Sequence, residues 1–288
     1  MQTCVVGLGR MGLEMATRAA ESGLAVHGID VDPAALLRAA ERGIPASGEF
    51  DAIDGAEIVL SSLPDTKQVV AAYLDRDGIL ERLAPGSVCV DLSTIAPSAS
   101  VRVADTAASS GIDFLDAPVS GTSVHAAAGT LAIMVGGDAA ALERARPVLT
   151  TLSRSIHHVG GNGSGLLLKL VTNRLLAAHL VGIAEAVVSM ESVGLDVAKG
   201  IEFLRSSAVP QLLEYKAEPL AARDYEPQFT VDLMRKDLRL ADEALLPGEI
   251  SAATVSVFDE TVSLGLGAAD IAAVMAAVER EGPDALSR

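Results

Sequence analysis

The chain has 288 residues, half of them hydrophobic, which is enough for two domains with a sizeable core and excludes a largely disordered protein. A formal net charge of −16 and a sequence pI of about 4.6 leave no general basic face, so neither nucleic acid nor an anionic membrane is an expected partner. Aromatic residues make up 3% and tryptophan is absent, so platforms for stacking bases are few.

Residues 2–6 form a short apolar run that stops at Gly7-Leu8-Gly9-Arg10-Met11-Gly12, and residues 13–22 have helical composition. This start has no charged leader with a sustained apolar stretch and a cleavage site, and the expectation is a cytoplasmic, reduced protein. A second strand over 24–29 ends at Asp30, after which Pro33 suits the first turn of a helix. Further strands are expected over 57–61, 87–91, 113–117, 131–135 and 155–159, separated by helix-like stretches such as 98–109. Such alternation predicts an α/β domain with a mostly parallel sheet covered on both faces. Cys4 and Cys89 lie in two of the strand runs without metal-ligand spacing and read as core residues. The histidines, including the pair His157-His158, lack ligand partners at useful spacing, so no metal is expected.

The texture changes at Gly160-Gly161-Asn162-Gly163-Ser164-Gly165, a glycine-rich hinge. We place one domain over 1–161 and an all-helical domain over 162–288, the second beginning with a long helix over about 164–193 that ends before Gly194. Its apolar window is interrupted by Lys169, Asn173, Arg174, His179 and Glu185, which suits a buried helix better than a membrane crossing. A helix of that length runs through a large core or a subunit interface, so a homodimer or homotetramer is expected.

Gly7, Gly9 and Gly12 match G-x-G-x-x-G in the context that gives the motif meaning: after a strand, opening a helix, inside a βαβ unit. Gly7 permits the tight turn, Gly9 lets backbone approach a pyrophosphate, and Gly12 lets the helix pack closely on the strand. The phosphate charge would sit on the helix N-terminus, which makes Leu8, Arg10 and Met11 neighbours of the cofactor. Asp30 lies 18 residues beyond Gly12, near the expected ribose-binding carboxylate, and it would repel a 2′-phosphate. The expectation is a Rossmann dinucleotide-binding domain that takes NAD, with NADP as the alternative.

Lys169 stands in the run Gly165-Leu166-Leu167-Leu168-Lys169-Leu170-Val171-Thr172-Asn173. An ammonium amid leucines loses hydration, and unless a partner compensates, its pKa falls toward the range where it exchanges protons near neutrality. Asn173, four residues on, shares its helix face. The competing reading is a charge that snorkels to water from an amphipathic surface.

Three further stretches carry a resemblance: Asp116-Ala117-Pro118-Val119-Ser120-Gly121, Gly129-Thr130-Leu131, and Asp91-Leu92-Ser93-Thr94-Ile95. With the GLGRMG turn, Leu63-Pro64, the Lys169/Asn173 pair, Phe229, Arg235-Lys236-Asp237-Leu238, Gly265-Leu266-Gly267 and Asp270, the chain resembles the β-hydroxyacid dehydrogenase family nearly end to end. The resemblance implies that Lys169 is the general acid/base, that Asn173 helps hold substrate, and that Ser120 and Gly121 bind a substrate carboxylate. It also implies that Leu63 and Pro64 lie beside the cofactor, that Thr94 touches its nicotinamide side, and that Lys236 reaches the closed cleft, near substrate and cofactor alike. These roles agree with the chemistry, since an alcohol being oxidised must lose a hydride to nicotinamide and a proton to a base.

The residues also admit plainer readings. Ser93-Thr94 would serve as an ordinary helix cap, and Lys236 as a surface charge paired with Asp232 or another nearby acid. Departures from the family concentrate after Gly121, where Thr122 replaces a second glycine and Ser123-Val124-His125 follows. Thr122 brings bulk and a hydroxyl toward the substrate. Thr172 stands where 6-phosphogluconate dehydrogenases carry histidine, and Lys169 argues against an imine reductase. The expected activity is NAD(P)-dependent hydride transfer to or from a short 3-hydroxy acid, 3-hydroxyisobutyrate-like, or its semialdehyde. The alternatives are an imine, an amine or a β-hydroxy amino acid as substrate, and a non-catalytic dinucleotide-binding scaffold.

Overall fold

A computed structural model describes residues 2–206, 216, 218–245 and 248–280, and the chain divides into two compact units, 1–169 and 170–288. In the first unit nine strands form one sheet: β1 Gln2–Val6, β2 Ala25–Ile29, β3 Ala46–Ser47, β4 Ile58–Ser61, β5 Val88–Asp91, β6 Asp113–Asp116, β7 Val119–Ser120, β8 Leu131–Gly136 and β9 Ser153–Gly160. They run in the order β3-β2-β1-β4-β5-β6-β8-β7, with β9 paired to β8. The helices are α1 Arg10–Glu21, α2 Pro33–Glu41, α3 Thr66–Leu74, α4 Ile79–Arg82, α5 Pro97–Ser109, α6 Ser123–Ala128 and α7 Ala139–Leu152.

The apolar strand runs are continuous because both faces are covered. Val5, Leu60, Val90 and Leu115 turn to one face, against Met15 and Leu149, while Cys4, Val59, Cys89 and Phe114 turn to the other, against Val69, Ile79 and Val103. The register sets Cys4 opposite Val59 and Val59 opposite Cys89, so one strand separates the two cysteines by roughly 9–10 Å, beyond disulfide reach. Burial raises both thiols, Cys4 to about 11 and Cys89 further. They are inert core groups, as their sequence context implied.

Two features depart from the sequence expectation. The two-residue strands β3 and β7 have too little pattern to be read from sequence, and β8 runs antiparallel to β6 and β7 in an otherwise parallel sheet. β7 keeps the direction of β6, and the chain reverses through α6 and the left-handed Gly129, so that β8 returns with Ile133 and Ala132 opposite Val119 and Ser120.

One row of register partners marks the carboxyl edge of the sheet: Ile29, Val6, Ser61, Asp91 and Asp116 lie side by side across β2, β1, β4, β5 and β6. Because β1 has β2 on one side and β4 on the other, the strand order reverses here, and this is where a doubly wound sheet binds ligands.

The second unit is helical. The long helix α8, Ser164–Ser192, supplies its central element, followed by α9 Val197–Arg205, α10 Val231–Ala244, α11 Glu249–Ser263 and α12 Val274–Arg280. Among the described residues its β-structure is one isolated bridge, Thr230 to Asp270. Ala177, Leu180, Ala184 and Val187 form the buried stripe of α8 in this unit, packed with Met234, Leu238, Phe258 and Met275. Gly194 closes the helix with φ of 73°, and Leu195 N–H donates to the Met190 carbonyl at 2.9 Å. By length and composition alone α8 would suit a membrane crossing, but this packed stripe gives it the role of a core helix.

Asp270 is the polar hub of the unit. It accepts from the buried Lys216 ammonium at 2.8 Å and from the N–H groups of Gln228, Phe229 and Ala272, and these partners hold its carboxyl below the usual range against the opposing effect of burial.

Candidate active site

The turn after β1 is built for an anion. A Cβ on Gly12 would overlap the carbonyl oxygen of Gly7, and Gly7 itself has φ of 88° and a Cβ there would collide with the Ser62 carbonyl oxygen, so neither position accepts a side chain. Beyond Gly9, in contrast, nothing lies within 4 Å of where a Cβ would stand. Gly9 is also the N-cap of α1 and contributes no side-chain hydrogen bond, so the first N–H groups of the helix keep no side-chain cap. These residues fit a dinucleotide pyrophosphate. Arg10 and Met11 open α1, the first exposed and the second half-buried, whereas the Leu8 side chain is in the core.

Asp30 ties this turn to β2. Its Oδ2 accepts the Leu8 N–H at 2.6 Å and its Oδ1 accepts the Asp32 N–H at 2.8 Å. Each oxygen keeps a further lone pair, the acceptor capacity that a ribose diol would use. The Leu8 N–H is thus committed to Asp30.

The next strands along the edge carry a buried network that sequence reasoning did not single out. Asp91 Oδ1 accepts from Ser61 Oγ at 2.7 Å, Ser93 Oγ at 2.6 Å and Ser93 N–H at 3.2 Å, and Ser93 Oγ in turn accepts the Leu63 N–H at 2.8 Å. Ser93 is therefore a link between two loops rather than an ordinary helix cap. Thr94 is half-buried beside it, and Pro64 is exposed.

Burial pushes the Asp91 carboxyl up to about 6, against the hydrogen bonds that pull it down. A raised carboxyl contributes stability that is complete below its ordinary value of 3.8 and lost as pH rises through about 6. At about 1.4 kcal/mol per unit, the loss is on the order of 3 kcal/mol. Asp91→Asn cannot ionise, so its unfolding free energy should fall less than that of the wild type between about pH 4 and pH 7, by roughly that amount. Parallel curves from chemical denaturation across this range would contradict the assignment.

At β6 a second buried acid, Asp116, receives the start of α8. Its Oδ1 accepts Gly163 N–H at 2.6 Å and its Oδ2 accepts Leu166 N–H at 3.1 Å, while Asn162 Nδ2 donates to the Phe114 carbonyl at 2.7 Å. A Cβ on Gly165 would come within 2.5 Å of the Met134 carbonyl oxygen and 2.9 Å of the Asp116 carbonyl oxygen, so the helix lies directly on the strand ends. Burial raises the Asp116 carboxyl, opposed by these N–H donors. Lys169 lies about one helical turn beyond Leu166, on the part of α8 that belongs to the sheet unit.

Its surroundings correct one expectation. Leu166 and Leu170 are buried, but Leu167, Leu168 and Val171 remain 38%, 38% and 47% exposed, and Lys169 is half-buried at the border between them. The leucines around it do not wall it in on every side.

The proposed carboxylate loop comes after β6. Ser120 ends β7, and Gly121 has φ of 135°, with Leu131 and His125 placed where a side chain would go. The departure from the family pattern has a structural counterpart here: Thr122 N–H donates to His125 Nδ1 at 3.1 Å, and Thr122 Oγ1 lies 3.0 Å from the same nitrogen. His125 thereby closes the loop that Thr122 opens. His158 Nε2 bonds to the Gly137 carbonyl oxygen at 2.8 Å, and among the described residues no cluster of metal ligands exists.

In the helical unit, Asn173 is 2% exposed and its Nδ2 donates to Asp237 Oδ2 at 2.6 Å, while Lys236 Nζ lies 3.2 Å from Asp237 Oδ1. Asp237 is itself buried and so orients both predicted residues. Lys236 does pair with a nearby acid, the buried Asp237. Asp232 lies against Gly267. Among the sequence motifs, Asp237 is one more acid beside a lysine; only the packing of α8 on α10 distinguishes it.

A dinucleotide-type sheet with a glycine turn and an acid just after its second strand, joined to a helical unit through one long helix, defines the class of nicotinamide-dependent dehydrogenases built on two such parts. Two family models match the chain: the NAD binding domain of 6-phosphogluconate dehydrogenase over residues 2–160, and the NAD-binding domain of NADP-dependent 3-hydroxyisobutyrate dehydrogenase over 163–278. The NAD-dependent L-serine dehydrogenase of Pseudomonas aeruginosa is 41% identical over 257 residues, covering 84% of this chain and 85% of that protein. The 3-hydroxyisobutyrate dehydrogenase of the same organism is 40% identical over 245 residues, covering 82% of each. The solved structure of Mycobacterium tuberculosis 3-hydroxyisobutyrate dehydrogenase with L-serine superposes with a TM-score of 0.86 at 32% identity, covering 95% of this chain and 97% of that one. The chain belongs to the β-hydroxyacid dehydrogenase family and is an NAD(P)-dependent oxidoreductase.

Proposed function

We propose that the protein is an NAD-preferring dehydrogenase of short 3-hydroxy acids, of the 3-hydroxyisobutyrate kind, with Lys169 as general acid/base. The observation that carries this reading is the seat of Lys169: about one turn beyond a helix start that Asp116 holds on the carboxyl edge of the sheet, the edge that also bears the glycine turn and Asp30. Bound NAD would accept the hydride from the carbinol carbon. The Lys169 amine takes the hydroxyl proton as the C–O bond becomes a carbonyl, and the ammonium returns it when the semialdehyde is reduced.

Ser120 and the backbone of Gly121 hold the substrate carboxylate by hydrogen bonding, with Thr122 limiting the size of the group at the neighbouring carbon. Asn173 and Lys236 assist in holding substrate, and Lys236 also reaches the cofactor. Leu63, Pro64 and Thr94 flank the nicotinamide. Asp30 with Asp32 two residues on disfavours a 2′-phosphate, which supports NAD over NADP.

A β-hydroxy amino acid is the second reading, favoured by the L-serine in the names of one relative and one solved structure. Leu168, Val171 and Leu175, apolar yet exposed along α8, support a homodimer or homotetramer.

The test is NADH formation across a panel that includes 3-hydroxyisobutyrate, L-serine, other short 3-hydroxy acids and amines, run with NAD and with NADP. The expected result is turnover of a short 3-hydroxy acid with NAD ahead of NADP. Amine oxidation alone would move the activity to the C–N bond, and silence across the panel with NAD bound would indicate a scaffold.

A further inference from the structure

The Asp91 network joins more of the sheet edge than a local cap requires. Ser61 ends β4, Leu63 lies in the loop after it, Tyr73 sits on α3, and Ser93 lies in the loop after β5, yet all four meet in one chain of hydrogen bonds. The directions are fixed by proton count. Ser61 gives its single hydroxyl hydrogen to Asp91, so the Tyr73 hydroxyl, 2.9 Å from Ser61 Oγ, donates to Ser61. Ser93 likewise gives its hydrogen to Asp91 and accepts from Leu63.

Three donors converge on Oδ1, whereas Oδ2 is buried without a hydrogen-bond partner. Only a carboxylate oxygen accepts so many donors well, and keeping an acid fully buried is costly. A neutral group would serve if the edge needed only filling.

Position supplies the rest. Asp30 comes directly after the edge residue of β2 and Asp91 is the edge residue of β5, three strand spacings away, or roughly 14 Å. A dinucleotide whose adenosine ribose meets Asp30 and whose pyrophosphate meets the Gly7–Gly12 turn continues across β4 toward β5.

We infer that Asp91 is a positioning residue for the nicotinamide half of the cofactor, acting through Ser93 and Ser61 to hold the loops after β4 and β5 at a fixed separation. The inference rests on the proposed function, which supplies the nicotinamide. Asp91 does not touch the cofactor; Leu63 and Thr94 do, and Asp91 sets where they stand.

The experiment compares binding of NADH and of ADP-ribose, which lacks the nicotinamide, to wild type, Asp91→Asn, Ser93→Ala and Tyr73→Phe. In Asp91→Asn the amide places an N–H₂ where no acceptor faces it and weakens the three-donor oxygen. The expected outcome is a loss of NADH affinity of about tenfold with ADP-ribose affinity held within about twofold, and a fall in kcat. Ser93→Ala, which removes the acceptor of the Leu63 N–H, should show the same split, and Tyr73→Phe, one bond further out, a smaller one. Equal losses for both ligands would mean a general loosening of the sheet and would overturn the inference, as would unchanged NADH affinity in Asp91→Asn and Ser93→Ala alike. If Asp91→Asn fails to fold, Ser93→Ala and Tyr73→Phe decide. Wild type that binds ADP-ribose but no NADH would remove the functional reading itself, a result separable from any outcome among the variants.

Discussion

Lys169→Ala is expected to lose turnover by about 10²–10⁴-fold while retaining NADH affinity, because a general acid/base contributes in the transition state and hardly to cofactor binding. Lys169→Arg should not restore activity, since a guanidinium does not give up its proton in a protein. A small primary amine added to Lys169→Ala should recover part of the rate, because it supplies the missing proton acceptor without rebuilding the side chain. The three measurements separate proton transfer from mere placement of charge: arginine keeps the charge and loses the chemistry, and added amine restores the chemistry without the tether. Turnover within tenfold of wild type in Lys169→Ala would remove this lysine from the mechanism.

Asp116→Asn should be nearly as damaging, although it changes one atom. The carboxylate accepts Gly163 N–H on one oxygen and Leu166 N–H on the other, so whichever way an asparagine is turned, its own N–H₂ meets a backbone N–H. One buried donor pair is left facing itself, at a cost of about 1–3 kcal/mol for each unsatisfied group. A melting temperature lower by about 5–10 °C is the expected reading. Activity should fall further than stability explains, because the start of α8 shifts on the strand ends and a displacement of about 1 Å at a reacting group can cost about 10²-fold. Assays well below the melting temperature, where the variant is folded, make that separation. An Asp116→Asn protein with wild-type kcat under those conditions would show that the helix start is held by Gly165 packing instead.

Much of the architecture is legible in the sequence. The runs over 2–6, 57–61, 87–91 and 113–117 declare strands because apolar side chains on both faces leave no other use for them, and the glycine turn declares its ligand class through position as much as composition. The hidden part is non-local. Asp91 and Asp116 each end an apolar run, and an acid there reads as an ordinary strand terminus; that both are buried and collect donors from residues up to 50 positions away depends on register. The short strand β7 is hidden because two residues carry no periodicity, and the reversed direction of β8 is hidden because an apolar run does not state its direction. The environment of Lys169 misleads for the opposite reason: leucines in sequence imply burial, but Leu167 and Leu168 face outward and Leu166 and Leu170 inward. Asp237 escapes because its value lies in the asparagine it orients, 64 positions earlier in the chain.

The seating of α8 also makes the helix an index of angle. Gly165 has no room to slide against the Met134 and Asp116 carbonyls, and Asp116 fixes the first turn, so every later residue inherits its rotational phase from this one contact. At 3.6 residues per turn, each residue inserted or deleted between Gly165 and Lys169 would rotate Lys169 by about 100° about the helix axis, so the count between these two positions sets where the lysine stands against the strand ends.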